Sequence, residues 1–202
     1  YINYGDFEGY YENGEPTNNF TGNEASLSVG YANKFYELPI YYGVNIKLIT
    51  SKFEQYNSIA VASDIGFYYK NDEIMLDVAL VFRNIGAQIK SFDNLNEKLP
   101  FEVDLGISQL VENAPIKWHV TFENIHRWPI GLSNPSRLTI DLDGNITEEK
   151  VSFINEFLRH VVVGSEIFPE SIFNLRLGYS FRRAEELRIL DQNNFSGLSF
   201  GF

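Results

Sequence analysis

At 202 residues with a net charge of −11, the chain is long enough for one sizeable core or for part of a large sheet. It lacks the excess of Lys and Arg that binding a nucleic-acid phosphate backbone demands. With no cysteine, a disulfide framework, a zinc finger and a thiol nucleophile are all excluded.

Residues 1–10 open a strand rich in Tyr and Phe, and the polar stretch 11–23, with Gly14, Pro16 and Gly22, is a long connection. Over 24–35, Leu27, Val29 and Tyr31 alternate with Ser28, Gly30 and Ala32. A turn at 36–38 leads into 39–50, where Ile40, Tyr42, Val44, Ile46 and Leu48 alternate with Tyr41, Gly43, Asn45 and Lys47. A medium connection, 51–57, precedes a strand over 58–70. That strand sets Ile59, Val61, Ile65, Phe67 and Tyr69 against Ala60, Ala62, Asp64, Gly66 and Tyr68. Asn71-Asp72 reads as a two-residue hairpin turn. Over 73–83, Ile74, Leu76, Val78, Leu80 and Phe82 oppose Asp77, Ala79 and Arg83. Such alternation marks strands with one buried face, because successive side chains leave a pleated backbone on opposite sides.

The long polar loop 84–98 is followed by the most legible stretch, 99–128, a hairpin. Phe101, Val103, Leu105 and Ile107 share one side, and Ile116, Trp118, Val120 and Phe122 share a face beyond the turn Glu112-Asn113-Ala114-Pro115. Pairing Val111 with Ile116 keeps every apolar residue on one common face. Asn124 and His126 fall on that face too, so its apolar band ends near Phe122 or is shifted by a bulge. The insertion 129–158 carries the one helical pattern. Asn145 with Glu148 is an N-cap signature; Val151, Ile154 and Leu158 form one stripe, with Phe153 and Phe157 beside it. A helix so apolar must cover its own barrel, pack on a loop or dock a partner. A strand over 159–168, the turn Pro169-Glu170-Ser171 and a strand over 172–182 come next. A charged loop, 183–194, then leads to a last strand with Leu198, Phe200 and Phe202.

About ten antiparallel strands result, with connections that alternate between long and short and runs of about 10 to 13 residues that exceed the usual 5 to 6 of soluble sheets. The apolar face nearly lacks charge, while the other is rich in glycine, with Gly30, Gly43, Gly66, Gly106 and Gly178. These features predict an all-β protein, an up-and-down antiparallel transmembrane β-barrel with a helix in a long extracellular loop. Residues 1–202 form a single outer-membrane barrel domain on this reading, incomplete at both ends. The alternative is a soluble β-protein whose apolar face meets another sheet. The barrel assigns Asp64, Asp77, Arg83, Asp104, His119, Glu123, Arg176 and Arg182 to the lumen, where Asp104 and Glu123 lie nearly opposite and call for an ion network. Trp118 and Trp128 stand roughly 25 Å apart along a tilted strand, either as markers of the two membrane interfaces or as aromatics that fell at strand ends by chance. The long loops form a partner platform, with Arg137, Asp141, Asp143, Phe153, Phe157, Arg183 and Arg188 as contacts.

Enzyme chemistry finds no foothold. His119, His126 and His160 make no metal-ligand spacing. Asp141-Leu142-Asp143-Gly144-Asn145 resembles the start of a calcium loop, yet Ile146 and Ser152 stand where Gly and Glu belong. No nucleophile elbow or phosphate loop occurs. The expectation is a non-enzymatic protein without a cofactor.

Several stretches, YINYGDF, LPFEVDLG, the arm from Ala114-Pro115-Ile116 to His126-Arg127-Trp128, RHVVVGSE, FNLRLGYSFRRAEELRI and GLSFGF, resemble the PorQ family. These are outer-membrane barrels of the Bacteroidota type IX secretion system, related to PorV and more distantly to FadL-type channels. The resemblance implies about fourteen strands in a full chain, so that strands are missing before Tyr1 and after Phe202. It implies anchoring of a surface partner such as PorZ, within a wider complex with PorV and the sortase PorU that delivers cargo to lipopolysaccharide. The alternative is a FadL-like channel for hydrophobic compounds.

Overall fold

The computed structural model describes residues 1–92, 97–131, 139–140, 146–147, 151–188 and 195–202. In chain order the strands are β1 (Ile2–Phe7), β2 (Phe20–Lys34), β3 (Ile40–Phe53), β4 (Tyr56–Asn71), β5 (Leu76–Lys90), β6 (Glu102–Leu110), β7 (Ile116–Phe122), β8 (Thr139–Ile140) and β9 (Ile146–Thr147). Helix α1 (Phe153–Arg159), β10 (Val161–Ile167), β11 (Leu175–Ser180), helix α2 (Phe181–Glu186) and β12 (Leu198–Gly201) follow. A ten-stranded antiparallel sheet has the order β1-β2-β3-β4-β5-β6-β7-β10-β11-β12, and β8 pairs with β9 in a separate ribbon. Sequence neighbours are sheet neighbours except where the insertion intervenes. That is the simplest topology for local antiparallel connections.

The chain divides into two compact units. The first comprises Tyr1–Tyr36, Tyr41–Phe67 and Phe82–Phe101; the second comprises Glu37–Ile40, Tyr68–Val81 and Glu102–Phe202. In the first, β2 and β3 set Leu27 against Leu48, Val29 against Ile46 and Tyr31 against Val44 on one face. Ser28 with Lys47, Gly30 with Asn45 and Ala32 with Gly43 make the other. In the second, Ile107 faces Val120 and Leu105 faces Phe122, while Val111 N–H donates to Ile116 O at 2.8 Å, the register the apolar pattern requires. Continued through β10, β11 and β12, one face carries the rows Ile107-Val120-Val163-Tyr179-Leu198 and Trp118-Ser165-Leu177-Phe200.

Burial is inverted relative to a soluble sheet. Leu27 and Val29 are 67% and 70% exposed, whereas Asp77 and Asp104 are buried. The buried apolar residues among those described are Ala60, Ala62, Val103, Ile130 and Val161.

Several element boundaries differ from the sequence reading. The medium connection at 51–57 is a tight turn: Lys52 and Phe53 pair with Asn23 and Gly22, and Glu54 closes the chain at φ 53°. The long–short rhythm of the connections breaks there. The turn after β4 spans Asp72 to Met75, not two residues, with Met75 at φ 53°. The predicted loop 84–98 begins instead as strand, because β5 continues to Lys90 through a bulge at Asn84 (φ 56°). The bulge reverses the side-chain parity, so the alternation appears to stop where the strand does not. The strand predicted over 172–182 is shorter at both ends. Ser180 ends it by capping α2, its Oγ accepting from Arg183 N–H at 3.4 Å. Arg182 therefore sits on a helix and pairs with Glu186 at 3.0 Å, not on a strand wall. Residues 146–147 are strand, so the predicted cap does not start a helix after Asn145. Ser152 is the N-cap, accepting from Asn155 N–H at 3.3 Å. Asn145 and Glu148 lie outside the described residues.

Candidate functional site

The polar face is organised in rows, because directly opposed residues of neighbouring antiparallel strands meet on one side. In the second unit one row reads Leu110, Lys117, Glu166, Arg176 and Gly201 across β6, β7, β10, β11 and β12. Charges alternate along it. Lys117 Nζ lies 2.5 Å from Asp77 Oδ2, and Arg176 Nε donates to Glu166 Oε1 at 3.1 Å. Tyr68 Oη donates to Asp77 Oδ1 at 2.7 Å, and His119 Nε2 stands 3.9 Å from Glu166. A cleft of about 440 Å³ opens beside this ladder, lined by Lys70, Met75, Asp77, Lys117, Glu166 and Glu170. Asp77 and Glu166 each face a cation, which fixes their orientation. The adjoining row, Ser108-His119-Gly164-Gly178-Ser199, is small-sided except for His119. A side chain on Gly164 would press against the Leu177 carbonyl at 3.2 Å.

In the first unit the polar face centres on Asp64. Lys47 Nζ is 2.7 Å away, Asn84 N–H donates to Asp64 Oδ1 at 2.9 Å, and Asn45 Nδ2 donates to Oδ2 at 3.3 Å. Asn84 Oδ1 accepts from Lys47 at 2.6 Å, closing a ring of bonds around the bulge. The second unit repeats the device: Asn124, at φ 55°, donates its backbone N–H to Asp104 Oδ1 at 3.0 Å. Ile125 N–H then donates to Val103 O at 2.9 Å, one residue out of the Leu105–Phe122 register. Of the two expectations for this strand, β7 itself ends at Phe122, and the backbone pairing beyond it is shifted by one residue.

Both clamps sit in one sequence frame, Asp64-Ile65-Gly66 with Phe82-Arg83-Asn84-Ile85, and Asp104-Leu105-Gly106 with Phe122-Glu123-Asn124-Ile125. Reading single strands misses this; aligning the two hairpins with each other finds it.

Of the residues predicted to line the lumen, Asp64, Asp77, Asp104, His119 and Arg176 take part in these polar-face networks, and Glu123 lines a cleft with Val162, Ser180 and Ser199. Arg83 is exposed beside the Asn84 bulge, and Arg182, on α2, lines the same cleft as Glu123. Glu123 also accepts, through its backbone carbonyl, a 2.6 Å bond from His160 Nδ1. Among the partner candidates, Phe153 and Phe157 are exposed on α1, Arg183 is on α2, and Arg188 follows it 3.8 Å from Glu185. Arg137, Asp141 and Asp143 lie outside the described residues, as does the calcium-like stretch 141–145. Among the described residues, no group of three or more His, Asp or Glu side chains is placed to hold a metal ion.

No family model and no curated protein matches the chain.

Proposed function

We propose that this chain is wall and loops of an outer-membrane β-barrel, a non-enzymatic component that holds a surface protein partner. The observation that carries the reading is the inverted burial of the sheet. Leu27, Val29, Ile46, Leu177 and Phe200 of the sheet are exposed, while Asp77 and Asp104 are buried and Lys47 and Lys117 half-buried. Water on both sides of a sheet penalises that arrangement, and lipid on one side rewards it. The charge ladder and the bulge clamps then line the lumen, where a closed barrel needs its polar side chains satisfied. That no helix among the described residues is long and apolar enough to cross a membrane leaves this reading untouched. The PorQ-like stretches support a place in a type IX secretion attachment complex, with a PorZ-like protein on the outward loops and PorU and PorV in the wider assembly.

The test replaces residues 132–150 of the full-length protein, which include the β8–β9 ribbon, with a short Gly-Ser linker and retains the residues of the ten-stranded sheet and of α1. The expected result is loss of the surface partner from the material that co-purifies with detergent-extracted membranes; unchanged co-purification rejects the anchoring role. A FadL-like channel is the second reading, favoured by the small-sided Gly164–Gly178 row, which leaves room along the wall. Uptake of a hydrophobic dye into liposomes above that of empty vesicles supports it, and no flux dismisses it.

A further inference from the structure

Helix α1 is built inside out. Glu156, Arg159 and His160 are 6%, 2% and 3% exposed, whereas Phe153 and Ile154 are 73% and 69% exposed. The buried side is tied to the chain itself. Glu156 Oε1 accepts the backbone N–H groups of Ile130 and Gly131, the second at 2.9 Å. The Glu123 carbonyl can only accept, so His160 Nδ1 carries the proton of their 2.6 Å bond. A helix on a water-soluble protein turns the other way, apolar stripe inward and charges outward.

The exposed side is continuous with the apolar face of the sheet. The Phe157 ring lies 6.2 Å from that of Phe122, which belongs to the row Leu105-Phe122-Val161. From there the aromatic surface runs on through Trp128, whose ring is 5.2 Å from Phe153 and stacks on His160 at 5.1 Å. Phe153, Ile154 and Phe157 present no hydrogen-bonding group. A protein interface would be expected to carry about one hydrogen bond per 100–200 Å², whereas an acyl-chain boundary requires none. Trp at the rim of such a surface suits the headgroup level.

We infer that α1, with Trp128, lies in the lipid of the outer leaflet as a short interfacial foot of the sheet, its aromatic side in the acyl–headgroup boundary. The inference rests on the membrane-barrel reading. It removes Phe153 and Phe157 from the partner platform and gives them to lipid.

Residues 1–202 contain no cysteine, which allows single nitroxide labels to be placed in the full-length protein with any cysteine outside this stretch replaced. The labels are I154C and F153C on α1, L177C on the apolar sheet face and E73C in the exposed turn after β4. The protein is reconstituted in phosphatidylcholine–phosphatidylglycerol vesicles, and collision rates with oxygen and with a nickel chelate are compared. The expected result is an oxygen-to-nickel ratio at I154C and F153C several-fold above that at E73C and close to that at L177C. Ratios at both α1 positions equal to E73C, with L177C still favouring oxygen, overturn the inference and leave the barrel standing. A low ratio at L177C as well overturns both. The two helix labels guard against one variant failing to fold.

Discussion

The hairpins β4–β5 and β6–β7 start from the same frame and end differently. Both place an Asp two residues before a Gly on the first strand, and both bring an Asn with positive φ onto it from the second. Beyond the Asn they part. β5 runs on to Lys90, whereas β7 ends at Phe122, followed by the bonds from Glu123 N–H to His160 O and from Ile125 N–H to Val103 O before the insertion begins. The residue two places past each Asn differs: Gly86 in the first copy, His126 in the second. A Cβ at Gly86 would run into the Val61 carbonyl and come within 2.6 Å of the Ala62 Cα, so the backbones close there only because no side chain intervenes. Gly86 is what lets the two backbones close again past the Asn84 bulge in the first copy.

The largest expected effect follows at that glycine. In Gly86→Val the branched side chain has no space beside buried Ala60 and Ala62, and overpacking of this kind costs about 3 kcal/mol. The end of β5 should detach, seen as loss of the heat-modifiable folded band on gel electrophoresis of membrane extracts. His126→Gly should leave that band unchanged. Equal loss in the two variants would break the proposed difference between the copies.

Both clamps hang on a sheltered carboxylate. Asp64 holds Lys47, Asn45 and the Asn84 N–H, and removing it leaves a partly buried ammonium with Asn84 Oδ1 as its remaining close acceptor. Asp64→Ala and Asp104→Ala should each cost about 2–3 kcal/mol, since hydrogen bonds to charged groups and stranded buried donors fall in that range. Urea unfolding in vesicles measures both. A loss below about 1 kcal/mol at either position would mean that its carboxylate does not hold the turn.

The sequence told much of this, and its failures have physical causes. Strict alternation in 39–50 and 99–122 made the faces and the Val111–Ile116 register readable, because a one-residue slip would turn every apolar side chain over. Where alternation is interrupted by design, it misleads. Ile85, Ala87 and Ile89 resume the pattern with shifted parity after Asn84, so a strand looked like a loop. Alternation alone reads Ser180 as strand, although Ser-Phe-Arg-Arg-Ala-Glu-Glu holds an N-cap and good helix formers. The charge ladder could not be read from any one strand. Lys117, Glu166 and Arg176 meet only through the registers of three strands separated by the insertion.

The smallest effect tests the bulge residues themselves. Glycine accepts positive φ without steric cost, so Asn→Gly keeps the backbone turn and deletes only the amide side chain. At Asn124 the clamp is made by the backbone N–H, which glycine retains, and Asn124→Gly should stay within about 0.5 kcal/mol of the parent. At Asn84 the side chain also accepts from Lys47 at 2.6 Å and donates to Pro100 O at 2.8 Å. Losing both bonds in Asn84→Gly should cost about 1–2 kcal/mol, read as a shift of the urea midpoint at constant slope. Two equal midpoints would show that the side-chain bonds of Asn84 add nothing to the backbone clamp.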